Sequence, residues 1–134
     1  MTIKKQKLNF IIVCDDIRQE VGNKASFIGI YSKYIFIPSV PFIFPKLCFA
    51  VRCSNFDQSS SFEATLIAPS GKQLGQIKGG SPKAEIQHGT VDLHAFFSPL
   101  KIDEEGEYKF VVQFSSKIQY KLLFTIKKPS QKMN

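Results

Sequence analysis

Period-two alternation over the last third of the chain does most to limit what it can fold into. Tyr108, Phe110, Val112 and Phe114 alternate with Lys109, Val111 and Gln113. Beyond Ser115 and Ser116, the residues Ile118, Tyr120, Leu122, Phe124 and Ile126 alternate with Lys117, Gln119, Lys121, Leu123 and Thr125. Successive side chains of a strand point to opposite faces, so the pattern predicts a hairpin with one buried and one wet face. No window sustains a helical 3.6-residue period, and strand-like segments recur about every ten residues, which predicts an all-β chain.

Upstream, Leu8 to Cys14 is a continuous apolar run rich in β-branched residues, suited to a strand covered on both faces or placed at a sheet centre. Ser26 to Ile37 reads similarly, and Glu20-Val21-Gly22-Asn23-Lys24 between them supplies a hairpin turn. Pro38, Pro41 and Pro45 oppose regular pairing, so this stretch is expected to be a loop whose Val40, Phe42, Ile43 and Phe44 cap one end of the core. Leu47, Phe49, Val51 and Cys53 share one side of the next strand, with Arg52 on the other; Phe62, Ala64 and Leu66 begin another. Pro69-Ser70-Gly71-Lys72 turns the chain so that Leu74 to Ile77 returns. Ala84 to Leu93 is weaker strand material broken at Gly89, and Phe96-Phe97-Ser98-Pro99 reads as an apolar plug in a crossing loop.

Together these segments predict an antiparallel β-sandwich, immunoglobulin-like or C2-like, of about seven or eight strands. Asp103-Glu104-Glu105-Gly106-Glu107 precedes Tyr108. Sandwiches of this type place a tyrosine there whose hydroxyl bonds back to the corner, so Tyr108 is the candidate structural corner. Tryptophan is absent and the cysteines lack the inter-sheet spacing, so the likeness is to the architecture and not to antibody domains.

At 134 residues the chain suits one domain, taken as residues 8–127, between a basic N-terminal tail, 1–7, and a basic C-terminal tail, 128–134. The formal charge is +7, but Lys4, Lys5, Lys7, Lys127, Lys128 and Lys132 lie at the two ends and leave 12 basic against 11 acidic residues. Such tails either bind phosphate backbones weakly and salt-dependently or keep the protein soluble. Cys14, Cys48 and Cys53 form no C-x-x-C pair, and Cys48 and Cys53, five apart, face opposite sides of one strand. Three buried, reduced thiols and a cytoplasmic location are expected. No stretch reaches the ~18 apolar residues of a membrane helix, so no membrane partner is expected.

Asp15-Asp16-Ile17-Arg18-Gln19-Glu20 is the least ordinary segment. Its charges invite three readings: internal salt bridges joined by Lys24, a partner-binding surface, or oxygen ligands for calcium from Asp15 and Asp16 with Asp103 as a further contributor. His88 and His94 lack a third ligand at zinc spacing. Cys14, beside two acids in an apolar strand, makes a poor nucleophile. There is no G-x-S-x-G elbow and no full phosphate loop. Neither a cofactor nor a small-molecule substrate is indicated, and enzymatic activity is not expected.

Cys14-Asp15-Asp16-Ile17-Arg18-Gln19-Glu20-Val21-Gly22-Asn23-Lys24, then Ser26-Phe27-Ile28-Gly29-Ile30-Tyr31, and later Phe44-Pro45-Lys46-Leu47-Cys48, resemble an uncharacterised family of small bacterial β-proteins. The resemblance implies a compact β-domain with a distinctive first hairpin and brings no mechanism. Within the pattern, Gly22 would make the turn, Gly29 would let another backbone or a bulky ring approach closely, Tyr31 would use its hydroxyl at a sheet edge, and Arg18 would fork onto Asp16 or Glu20. The expected role is a non-catalytic module that binds another protein or another copy of itself, with Val40 to Phe44 as exposed apolar candidates. Nucleic acid held by the lysine tails and the adjoining sheet face, or calcium, are the alternatives.

Overall fold

The computed structural model describes residues 5–55, 61–79, 89–115 and 117–130. Among the described residues there are eleven strands and no helix: β1 (Lys7–Glu20), β2 (Lys24–Tyr31), β3 (Tyr34–Phe36), β4 (Phe42–Phe44), β5 (Leu47–Ser54), β6 (Phe62–Ile67), β7 (Gln73–Gly79), β8 (Val91–Phe97), β9 (Leu100–Ile102), β10 (Gly106–Phe114) and β11 (Gln119–Lys127). They form a four-stranded sheet in the order β2-β1-β5-β8, a five-stranded sheet in the order β3-β11-β10-β6-β7, and a ribbon of β4 and β9. All pairs are antiparallel except β3 with β11.

The two larger sheets meet through aromatic rings. Phe49 of β5 stacks on Phe110 of β10 with centroids 4.1 Å apart and planes within 10°. It also contacts Phe124 of β11 at 5.8 Å and Phe97 of β8 at 5.7 Å. Val13, Leu47 and Val51 from one sheet and Leu66, Val112 and Phe114 from the other complete the same buried cluster. The wet-face expectation for the last hairpin is met: Tyr108, Phe110, Val112, Phe114, Phe124 and Ile126 are buried, whereas Lys109, Gln113, Lys121 and Leu123 are exposed.

Several elements differ from the sequence reading for local reasons. The run from Ser26 to Ile37 is two strands, because the chain leaves the first sheet after Tyr31 and joins the second at Tyr34. Pro41 and Pro45 bracket a three-residue strand, β4, whose Phe42, Ile43 and Phe44 all keep their N–H groups and pair with β9. Phe44 is buried, and Val40 and Phe42 pack against the core, so only Ile43, 59% exposed, remains of the expected apolar surface in 40–44. Phe96 and Phe97 end β8 rather than plugging a loop. The weaker material from Ala84 to His88 lies outside the described residues.

Candidate functional site

The charged segment that follows Cys14 is strand and not turn. β1 continues to Glu20, and only Val21, Gly22 and Asn23 close the hairpin, with Gly22 at φ +94° and Asn23 at φ +56°. Gly22 reaches that backbone region without steric cost, and asparagine tolerates it better than most side chains.

Asp15 and Gly29 lie between the register pairs Cys14↔Ile30 and Asp16↔Ile28. Gly29 has φ +68°, and a Cβ added there would lie 2.3 Å from Asp15 Oδ2. The Asp15 carboxylate therefore rests on the bare backbone of β2, and the Tyr31 hydroxyl donates to its Oδ1 at 2.5 Å. The close neighbour admitted by Gly29 is thus a carboxylate, not a ring or a backbone.

The apolar residues change layer at this point. Val13 and Tyr31 belong to the inter-sheet core, whereas Ile17, Ala25 and Phe27 join Cys14, Cys48 and Ala50 in a second cluster. Phe27 reaches Phe10 at 5.8 Å and His94 of β8 at 5.9 Å. The positive φ of Gly29 permits this switch, which folds the hairpin over the outer side of its own sheet. It explains why Leu8 to Cys14 is apolar on both faces: Leu8, Ile11 and Val13 pack on the inter-sheet core, and Phe10, Ile12 and Cys14 on the second cluster.

Two thiols satisfy carbonyls at the switch. Cys14 Sγ donates to Asp16 O at 3.4 Å, and Cys48 Sγ donates to Asp15 O at 3.6 Å. Cys14 and Cys48 are directly opposite each other on β1 and β5, while Cys53 belongs to the inter-sheet core. All three thiols are free and buried. Cysteine suits the first two positions because it packs as a small apolar group and still carries a weak donor.

Asp16 faces the opposite way from Asp15. Its Oδ1 accepts from Lys46 Nζ at 2.9 Å and from the Ile17 amide at 2.9 Å, and its Oδ2 lies 3.4 Å from Arg18 Nε. Arg18 makes this one contact rather than a fork. Glu20 and Lys24 pair in register but, among the described residues, form no ion pair. The Lys46 ammonium, with smaller help from Arg18, lowers the Asp16 carboxyl below its ordinary 3.8. Lys46 stands in the Pro45-Lys46-Leu47 motif, but its partner became evident only with the fold.

Burial, then the bond to Asp15 and the charge of Asp15, push the Tyr31 phenol up to about 12; burial and the neighbouring Cys14 push the Cys48 thiol up to about 11. A raised folded-state pKa contributes stability that is whole below the ordinary value and is lost as pH climbs toward the folded one. For Tyr31 that window runs from 10 to about 12. Melting temperatures followed across it should fall less steeply in Tyr31→Phe than in the wild type, because a phenolate no longer forms beside Asp15. Identical slopes would remove Tyr31 as a titrating contributor. Asp16 has the opposite sign: its lowered carboxyl contributes above 3.8 and is lost as pH falls through the folded value, so Asp16→Asn should flatten the acid limb.

The other acids are engaged elsewhere. Asp103 lies 3.7 Å from Lys101, Glu104 accepts from the Ser70 amide and hydroxyl, and Glu105 accepts from the Lys128 amide. Among the described residues no three His, Cys, Asp or Glu side chains gather where they could hold a metal ion, so Asp15, Asp16 and Asp103 do not converge. The Tyr108 hydroxyl donates to the Glu104 carbonyl at 2.6 Å. His94 packs edge-on against Phe27, and His88 lies outside the described residues. Among the described residues no helix is long and apolar enough to cross a membrane.

No curated protein matches the chain. A family model covers residues 9–127, from the first strand through the last and including the whole Asp15–Tyr31 hairpin. The chain accordingly belongs to that family, a family of unknown function designated DUF6941.

Proposed function

We propose that this protein is a non-catalytic, immunoglobulin-like β-sandwich that works by binding another protein or a second copy of itself along the free edge of β2. The architectural part is supported by topology and by two contacts. The five-stranded layer β3-β11-β10-β6-β7 faces β2-β1-β5-β8, and Tyr108 near the start of β10 bonds back to Glu104. Two residues after the corner tyrosine, immunoglobulin domains carry the second cysteine of their inter-sheet cystine. Phe110 occupies that place here, and its stack on Phe49 links the two layers instead.

The observation that carries the binding part is the exposed edge of the first hairpin. β2 ends its sheet, runs eight residues without proline, and exposes Ile28 by 40% and Ile30 by 56%. Unpaired backbone groups beside exposed apolar side chains are a template for an added strand, and a symmetric pairing of two β2 edges closes a dimer. Asp15, Asp16, Arg18, Lys46 and Tyr31 then act as the frame that holds this edge, and Glu20 and Lys24 flank it. A cytoplasmic setting accords with three reduced thiols.

Size-exclusion chromatography with light scattering, from micromolar to millimolar protein, tests the self-binding form. A mass that rises with concentration in the wild type and stays monomeric in Ile30→Lys supports it, since a charge on an edge blocks pairing. A constant monomer, together with no partner whose capture is sensitive to Ile30→Lys, overturns the reading.

A further inference from the structure

The edge strand of the facing sheet, reached across two residues from the end of β2, carries a different surface. Tyr34 and Phe36, on the short strand β3, expose 42% and 49% of themselves, and their rings lie 6.2 Å apart with planes within 19°. Lys127 Nζ lies 4.6 Å and Lys33 Nζ 5.6 Å from the centre of the Tyr34 ring. Along the neighbouring strand Lys121 and Leu123 share the exposed face with Lys127, and Lys109 of β10 pairs with Leu123 and so stands diagonal to Lys121. Among the described residues no carboxylate forms an ion pair with Lys33, Lys109, Lys121 or Lys127. Glu107, opposite Thr125, is the acid within the track. Glu63, farther across the sheet, bonds Gln76.

We propose that this outer face of the five-stranded sheet binds single-stranded nucleic acid, with Tyr34 and Phe36 stacking bases and Lys33, Lys109, Lys121 and Lys127 contacting phosphates. Paired aromatic rings beside unpaired ammonium groups on an open sheet face are what a sequence-tolerant single-strand site requires, since every base offers a π-face and every nucleotide a charge. The ammonium groups over Tyr34 are an exposed cation–π contact, weaker than base stacking, so an incoming base displaces them toward its own phosphates. Residues 121 to 127 of an extended strand span roughly 20 Å, room for a few nucleotides.

The fold also changes how the terminal lysines enter. Gln6 bonds the Tyr120 hydroxyl at 3.1 Å, whereas Ile37 donates to the Lys127 carbonyl at 3.0 Å. The chain therefore enters near one end of β11 and leaves at the other, roughly 24 Å apart along the strand. Lys5 and Lys7 therefore stand near one end of β11, and Lys127 and Lys128 at the other. The net charge of +7 complements a polyanion.

Fluorescence anisotropy of the full chain with labelled oligo-dT, using heparin as a polyanion without bases and duplex DNA as a stacked control, tests the proposal. The wild type should bind oligo-dT at low salt, more tightly than the duplex, with affinity falling as salt rises. The pair Tyr34→Ala/Phe36→Ala should weaken oligo-dT about tenfold or more while leaving heparin unchanged. Tyr34→Leu/Phe36→Leu, which keeps large apolar side chains on the edge strand, should do the same. Lys121→Gln/Lys127→Gln should weaken both polyanions. Equal affinity for heparin, duplex and oligo-dT, insensitivity to the ring substitutions, or no binding at low salt would each overturn it.

Discussion

Phe49→Ala is expected to lower the unfolding free energy by about 3–5 kcal/mol, the range for removing a large ring from a packed interior. Phe49 is fully buried and is the side chain at which both layers meet, touching Phe97 in its own sheet and Phe110 and Phe124 in the facing one. Its loss leaves a cavity between two hydrogen-bonded sheets, which cannot close over it without breaking their ladders. Urea denaturation should show a lowered midpoint with an unchanged slope. Combining it with Phe110→Ala should give less than the sum of the single effects, by about 0.5–1.5 kcal/mol, as expected for a stacked aromatic pair. A loss below about 1 kcal/mol in Phe49→Ala, or strict additivity with Phe110→Ala, would mean that the ring pair does not hold the layers together.

Gly29→Ala is expected to cost about 2–3 kcal/mol, unusually much for a residue on an edge strand. One part is the left-handed backbone, φ +68°, which a Cβ disfavours by about 1–2 kcal/mol. The other is the Asp15 carboxylate. Rotating it away relieves the 2.3 Å approach of Oδ2 but leaves Asp15 Cβ at 3.1 Å, and it breaks the bond from Tyr31. The double variant Asp15→Ala/Gly29→Ala should therefore be less damaged by the added methyl than Gly29→Ala alone, with the backbone penalty of about 1–2 kcal/mol remaining. The same thermal or urea measurement in both backgrounds decides it. Equal damage with and without the Asp15 carboxylate would show that Gly29 is required for its backbone alone.

Much of the fold was legible because it depends on neighbours in sequence. The alternation from Tyr108 to Ile126 named the buried face of β10 and β11, and the apolar run before Cys14 marked a strand covered on both sides. Pro41 and Pro45 misled the reading of 40–44, because a bracketing proline limits a strand's length and not its existence. The apolar side chains there looked exposed only because no partner was visible; β9 and the core supply one.

The candidate hairpin was legible as an anomaly and not as an arrangement. Asp15, Asp16, Arg18 and Tyr31 were singled out by type, and Gly29 by its place between apolar residues, yet the carboxylate resting on that glycine depends on cross-strand register. The same holds for Lys46 reaching Asp16, for Cys14 opposite Cys48, and for Ile28, Ile30, Tyr34 and Phe36 being left uncovered. No local pattern announces such residues, since an exposed edge isoleucine and a core isoleucine are the same letter.

By itself, then, the amino-acid order determined the longer strands, most of their turns and which face of each is apolar, but not the short β3, β4 and β9 that raise the expected seven or eight strands to eleven; alternation, glycine turns and proline act within a few residues through backbone geometry. Only the tertiary structure decided which strands are neighbours, where the chain crosses from one sheet to the other after Tyr31, and which apolar and charged groups stay uncovered. Those outcomes depend on contacts between residues far apart in the chain, where burial and register, not local preference, choose the partner.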